Sequence, residues 1–177
     1  MNKENLSDLI NELGKHGGNQ YNPIKHMLAR RKLINYGRKN INDLLSVLDC
    51  SDQESMTDVI EILGKIGNKE AIPRIKKCIG IQALWGKTIL NIGIALIRLG
   101  DDEGIAYLKE QIKDTSAHRD LRIDAANALI KLKKKGVFGR DEHVDATGAS
   151  MTDAWLNKLL KLVDSLRSES SGAGSSG

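Results

Sequence analysis

The chain has 177 residues, 40% apolar and 28% charged, with one Phe, two Trp, three Tyr and two Pro. The core must therefore be aliphatic, and so few prolines argue against a turn-rich β-sandwich or barrel. With 27 basic and 23 acidic residues the net charge is +4, which does not demand a nucleic-acid partner, and Cys50 and Cys78 form no CxxC pair, so neither a zinc site nor a disulfide framework is signalled.

At the N-terminus Leu6, Leu9, Ile10 and Leu13 fall on one helical face. No long apolar run follows a basic start, so a secretory signal is not expected. Further on, apolar stripes predict paired helices. The first pair covers Asn5–Gly14 and Pro23–Tyr36; the second, Ile41–Leu48 and Ser55–Ile66. The third covers Ala71–Ile79 and Lys87–Leu99; the fourth, Gly104–Ile112 and His118–Lys134. Asn22-Pro23 is a start signal, with Asn as cap and Pro in the first turn.

These pairs recur. Three similar segments, Leu33–Leu45, Leu63–Ile75 and Leu96–Leu108, share Gly37, Gly67 and Gly100, and one further period reaches Lys133. One residue before each point stand Tyr36, Ile66, Leu99 and Leu132. Four before stand Leu33, Leu63, Leu96 and Leu129, and eight before stand Ala29, Val59, Ile92 and Ala125. Such offsets trace a single stripe, and glycine is the expected helix stop between repeats. A helix pair this short closes no core alone, whereas stacked pairs bury a continuous layer. The expected fold is all-α: an α-solenoid of about four helix pairs plus a C-terminal amphipathic helix. The repeat array occupies 1–135, a loop 136–150 and the last helix 151–167. Residues 168–177, rich in Ser and Gly, form a disordered tail or a linker.

LGKIGNKEAIPRIKKCI (Leu63–Ile79) and LRIDAANALIKL (Leu121–Leu132) carry a family resemblance. The pattern resembles HEAT repeats, and more closely the HEAT-like repeats typified by phycobilisome-lyase proteins. Arg122, Ala125, Ala126 and Leu129 stand where that family's second helix has VRxxAAxAL. The resemblance implies an intrarepeat tie between Asp114 and Arg122. It also implies a scaffold, since HEAT-like repeats host many activities.

No catalytic constellation emerges. His16, His26, His118 and His143 are scattered, and no HExxH is present. The cluster from Arg140 to Asp145 reads as a solvated loop, and Cys78 as a small buried hydrophobe. No cofactor, metal or enzyme activity is expected. HEAT-like alkylpurine DNA glycosylases need a catalytic Asp among aromatics, which this aromatic-poor chain lacks. No membrane partner is expected either, and the expected location is cytoplasmic.

Two features point to binding. Residues 1–40 carry net +5, 41–135 carry +1 and 136–177 carry −2. Two positions before each register point stand Asn35, Lys65, Arg98 and Lys131, which stacking would align as a basic row. The third repeat departs from amphipathic form: its second helix is apolar almost all round, with Leu90 and Ile94 on the expected concave face and Trp85 in the preceding turn. The expected partner site is Trp85, Leu90 and Ile94, rimmed by Lys65, Arg98 and Lys131. The partner is another protein, and the role is an adaptor, inhibitor or assembly factor. Nucleic-acid binding through the basic row is one alternative, and a chromophore-lyase-like subunit is another. The broad apolar face of 151–167, led by Trp155, is expected to cap the last pair, or else to dock into a partner or pair with another copy.

Overall fold

A computed structural model describes residues 3–13, 22–49, 52–81, 84–134, 158–159 and 161–163. Every element among them is helical: α1 (Lys3–Leu13), α2 (Pro23–Gly37), α3 (Ile41–Val47), α4 (Gln53–Ile66), a 3-10 turn (Lys69–Ala71), α5 (Ile72–Ile79), α6 (Gly86–Arg98), α7 (Glu103–Lys113) and α8 (Arg119–Lys134). These bounds lie within one or two residues of those expected from the sequence. The 136–150 loop, the 168–177 tail, Cys50 and Trp155 lie outside the described residues.

Local chemistry explains the boundaries. Asn22 Oδ1 accepts hydrogen bonds from the Ile24 and Lys25 amides, each at 3.0 Å, and Pro23 opens α2. Asp52 caps α4 by accepting from the Ser55 amide at 2.9 Å. Gly67 (φ 79°) ends α4, and Gly100 (φ 78°) follows α6, both in the left-handed region that favours glycine. Gly37 differs from the expectation of a glycine stop: it is the last residue of α2, with no left-handed backbone. It is small for a packing reason, because an added Cβ would meet Leu44 and lie 2.6 Å from Ile66 Cδ1.

The chain forms two compact units, Met1–Asp101 and Asp102–Gly177. In the first, α2, α4 and α6 lie side by side and parallel. His26 meets Asp58, and the Gln53 side chain meets Trp85, each pair 32 residues apart. Thr57 meets Thr88, 31 apart. Gly64 meets Ala95 so closely that an added Cβ would lie 2.8 Å from Ala95 Cα. Early residues of one helix touch early residues of the next, and late ones touch late ones. The core between these helices and α1, α3 and α5 is aliphatic, with Leu13, Leu33, Leu44, Ile60, Leu63, Ile75, Ile92 and Leu96 fully buried. Arg74 of α5 bridges to Asp49 after α3 (2.5 Å), and Lys76 of α5 to Asp101 (2.8 Å). Cys78 is buried, and its Sγ donates to the Arg74 carbonyl at 3.5 Å. Burial, and then the charge of Asp49, push its thiol up.

In the second unit α7 packs on α8, with Ile105, Leu108 and Ile112 buried, as are Ala125, Ala126 and Leu129. The tie between these helices is not the expected Asp–Arg ion pair. Arg122 Nε donates to the Ile112 carbonyl at 3.0 Å, while Asp114 accepts from the Ser116 amide (2.9 Å) and hydroxyl (2.6 Å). The two Ser116 bonds lead in holding the Asp114 carboxyl below its usual range, and Arg122 adds only a minor charge effect. From the 151–167 stretch, Leu159 and Val163 are buried.

Candidate functional site

A polar seam joins the N-terminal halves of α4 and α6. The Thr57 hydroxyl donates to the Gln53 carbonyl at 2.5 Å, which uses its one proton. Thr88 must therefore donate to Thr57 Oγ1, also at 2.5 Å. Asn91 Nδ2 donates to the Thr57 carbonyl at 3.0 Å, and the Trp85 amide donates to Gln53 Oε1 at 2.9 Å. The seam thus fixes the backbone where α6 begins. The Trp85 side chain nevertheless stands 51% exposed.

Next to the seam lies an ionic cluster. Asp58 has no solvent exposure, and three basic side chains surround it: His26 Nε2 at 3.1 Å, Arg30 at 3.7 Å and Lys87 at 4.0 Å. Arg30 also pairs with Glu61, and Lys65 reaches Glu61 at 2.8 Å. Burial alone would raise the Glu61 carboxyl, but the Arg30 and Lys65 hydrogen bonds and charges outweigh it and hold the group at about 2. The cluster binds α2, α4 and α6 together through charge. A buried ion set of this kind is costly to break from one side.

The expected partner residues fall as follows. Leu90 and Ile94 are partly exposed on α6 and lie one turn apart, with exposed Lys87 and Arg98 before and after them on the same face. Trp85 immediately precedes that helix. Lys65 is exposed on α4 but engaged by Glu61. Asn35, also of the expected row, is exposed on α2. Lys131 is exposed on α8, in the second unit. The structure therefore brings four of the six, Trp85, Leu90, Ile94 and Arg98, to a single helix and its leading turn.

Sequence reasoning missed two features. The Asp58 cluster gave no local signal, because its partners lie on neighbouring helices. The second feature is an exposed apolar group on α2, Ile24, Met27 and Leu28, whose i, i+3, i+4 spacing is a legible signal outside the stripe of Ala29 and Leu33. The second unit also holds a cavity of about 190 Å³ lined by Lys109, Ile112 and Lys113 of α7 with Lys158, Leu159 and Leu162. Among the described residues no three His, Cys, Asp or Glu gather as a metal site would require, and no helix is long and apolar enough to cross a membrane.

Compared with known proteins, the chain matches no family model, no curated protein and no solved structure.

Proposed function

We propose that the chain is a HEAT-like solenoid acting as a non-enzymatic protein-binding module: an adaptor, inhibitor or assembly factor of the cytoplasm. Its partner site is the face of α6 that carries Leu90 and Ile94, with Trp85 as anchor and Arg98 at the rim. The recurrence of parallel helices at 31–32 residues supports the repeat reading. The observation that carries the binding reading is Trp85: half its surface is open to water although its backbone is fixed by Gln53. An exposed aromatic on a tethered backbone, at the start of the helix that carries Leu90 and Ile94, suits an interface centre, and rim cations add rate and orientation.

The test compares the wild-type chain with Ile94→Glu and Trp85→Ala as bait on one cell extract. Each recovered protein is then purified and titrated directly. The expected result is that both variants keep their helical melting curve and lose a partner that wild type holds, while Arg98→Ala mainly slows association. A partner held equally by wild type and both folded variants would overturn the site.

A further inference from the structure

α2 is apolar on two opposite faces. His26, Ala29, Leu33 and Gly37 are buried on one of them. On the other, Ile24, Met27 and Leu28 are 65%, 61% and 45% exposed. Spaced i, i+3, i+4, they stand within one turn, and exposed Arg31 continues the stripe at i+7. Single exposed hydrophobes are ordinary, but three adjoining large ones form a patch.

The charged side chains that α2 itself sets around this patch have one sign. Lys25, Arg31 and Lys32 are exposed beside it, and α2 contains no Asp or Glu. A second copy presenting the same face would set cation against cation, which disfavours symmetric pairing. The buried flank of α2 shows what such a helix accepts. There α4 brings Asp58 to His26 at 3.1 Å, Glu61 to Arg30, and Ile66 against Gly37. The helix thus already takes a neighbour that combines carboxylates with aliphatic side chains.

We propose that the outer face of α2, formed by Ile24, Met27 and Leu28 and flanked by Lys25, Arg31 and Lys32, docks an acidic amphipathic helix of a partner protein. Apolar side chains of the partner cover the three exposed residues, with Met27 adapting its shape to them. Carboxylates beside that apolar stripe meet the three flanking cations. A lipid surface fits less well. An interfacial helix lays one apolar face along its length in the membrane, whereas this patch occupies one turn of a helix whose opposite face is locked in the core. The patch lies on α2 and the Trp85 and Ile94 site on α6 and its leading turn, so each proposal stands or falls by its own variants.

The probe is a fluorescent amphipathic peptide as long as α2, with Leu along one face and Glu beside it. The control peptide has every Glu replaced by Lys. Anisotropy titrations use the full chain, Met27→Glu, Leu28→Glu and the pair Lys25→Glu with Lys32→Glu; melting curves confirm that each variant is folded. Vesicles of phosphatidylcholine with phosphatidylserine are sedimented with the same proteins. The acidic peptide is expected to bind, and to weaken about tenfold or more in each variant, as a lost anchor or lost charge contacts require. Binding should also weaken as salt rises past about 0.1 M, where screening shortens to about 10 Å. Failure of the acidic peptide to bind, equal binding of the Lys peptide, or indifference to the folded variants would overturn the proposal. So would vesicle binding that Met27→Glu abolishes, which would assign the face to anionic lipid. Should Met27→Glu unfold the chain, the double lysine variant, which leaves the apolar residues intact, decides the matter.

Discussion

Asp58 is the side chain whose position most needs explaining, because a carboxyl group with no exposure is costly to bury unless compensated. Compensation comes from both sides, with His26 and Arg30 on α2 and Lys87 on α6. Glu61, one turn along α4, extends the same network to Lys65. For Glu61 the linkage is explicit. Its carboxyl is held at about 2 in the folded chain against an ordinary 4.5. A depressed folded value stabilises the protein above the unfolded value, and that contribution is lost as pH falls from 4.5 toward 2. The whole shift corresponds to about 3 kcal/mol, and partial exposure reduces the expected effect to about 1–2 kcal/mol. Glu61→Gln should therefore lose about that much at neutral pH and much less at about pH 3, so its stability should fall less steeply with acid. Urea unfolding at the two pH values checks this. Parallel pH profiles for variant and wild type would mean that the Arg30 and Lys65 contacts contribute nothing in solution.

At the scale of elements, glycine does two different jobs in this helix layer. Gly67 is selected by backbone: its φ is 79° and nothing lies within 4 Å of an added Cβ. Gly64 is selected by space, since its added Cβ would lie 2.8 Å from Ala95 Cα and 2.9 Å from Ala95 Cβ. Gly67→Ala should cost about 1 kcal/mol, the left-handed penalty, with no dependence on α6. Gly64→Ala should cost about 1–3 kcal/mol by forcing α4 and α6 apart. Ala95→Gly should recover part of that second loss and none of the first, a coupling that a double-mutant cycle in denaturant reads directly. The same contrast shows what was legible in the sequence. Aligning the chain on glycine located nearly all the helix bounds, because apolar periodicity and caps such as Asn22 are local signals. It could not separate the packing glycine Gly37 from the stop glycines, since both leave one letter at one register. Lateral pairings were equally hidden: the partners of Asp58 lie on neighbouring helices, whose rotation the sequence leaves open. The α6 face was legible because Ile94 interrupts a polar register held by Arg31 and Glu61. The outer α2 face was not, because a search for one apolar stripe per helix follows Ala29 and Leu33 and passes over Ile24, Met27 and Leu28.

Across the whole molecule the positive excess is concentrated at one end of the chain, with residues 1–40 carrying net +5 of a total +4. A basic end invites a nucleic-acid reading, and the basic row Lys65, Arg98 and Lys131 was its warrant. Lys65 already serves Glu61 at 2.8 Å, so that row has less charge to offer phosphates than its composition suggests. Neutralising phosphates releases counterions, and the logarithmic salt slope is about −0.9 per phosphate on duplex DNA. If no more than about three cations engage, the slope should be no steeper than about −3 and affinity at about 0.2 M salt should be negligible. The measurement is a salt series of anisotropy titrations with a labelled duplex of mixed sequence and with a single strand. Lys65→Gln and Arg98→Gln report whether the row is involved at all. Tight binding that survives about 0.2 M salt and depends on Arg98 would make the α6 face a nucleic-acid surface, and the protein-binding proposal would fail. Weak binding with a shallow slope, unchanged in Lys65→Gln, leaves Trp85 and Ile94 as the features of that face a partner must satisfy, because apolar side chains contribute little to holding a phosphate backbone.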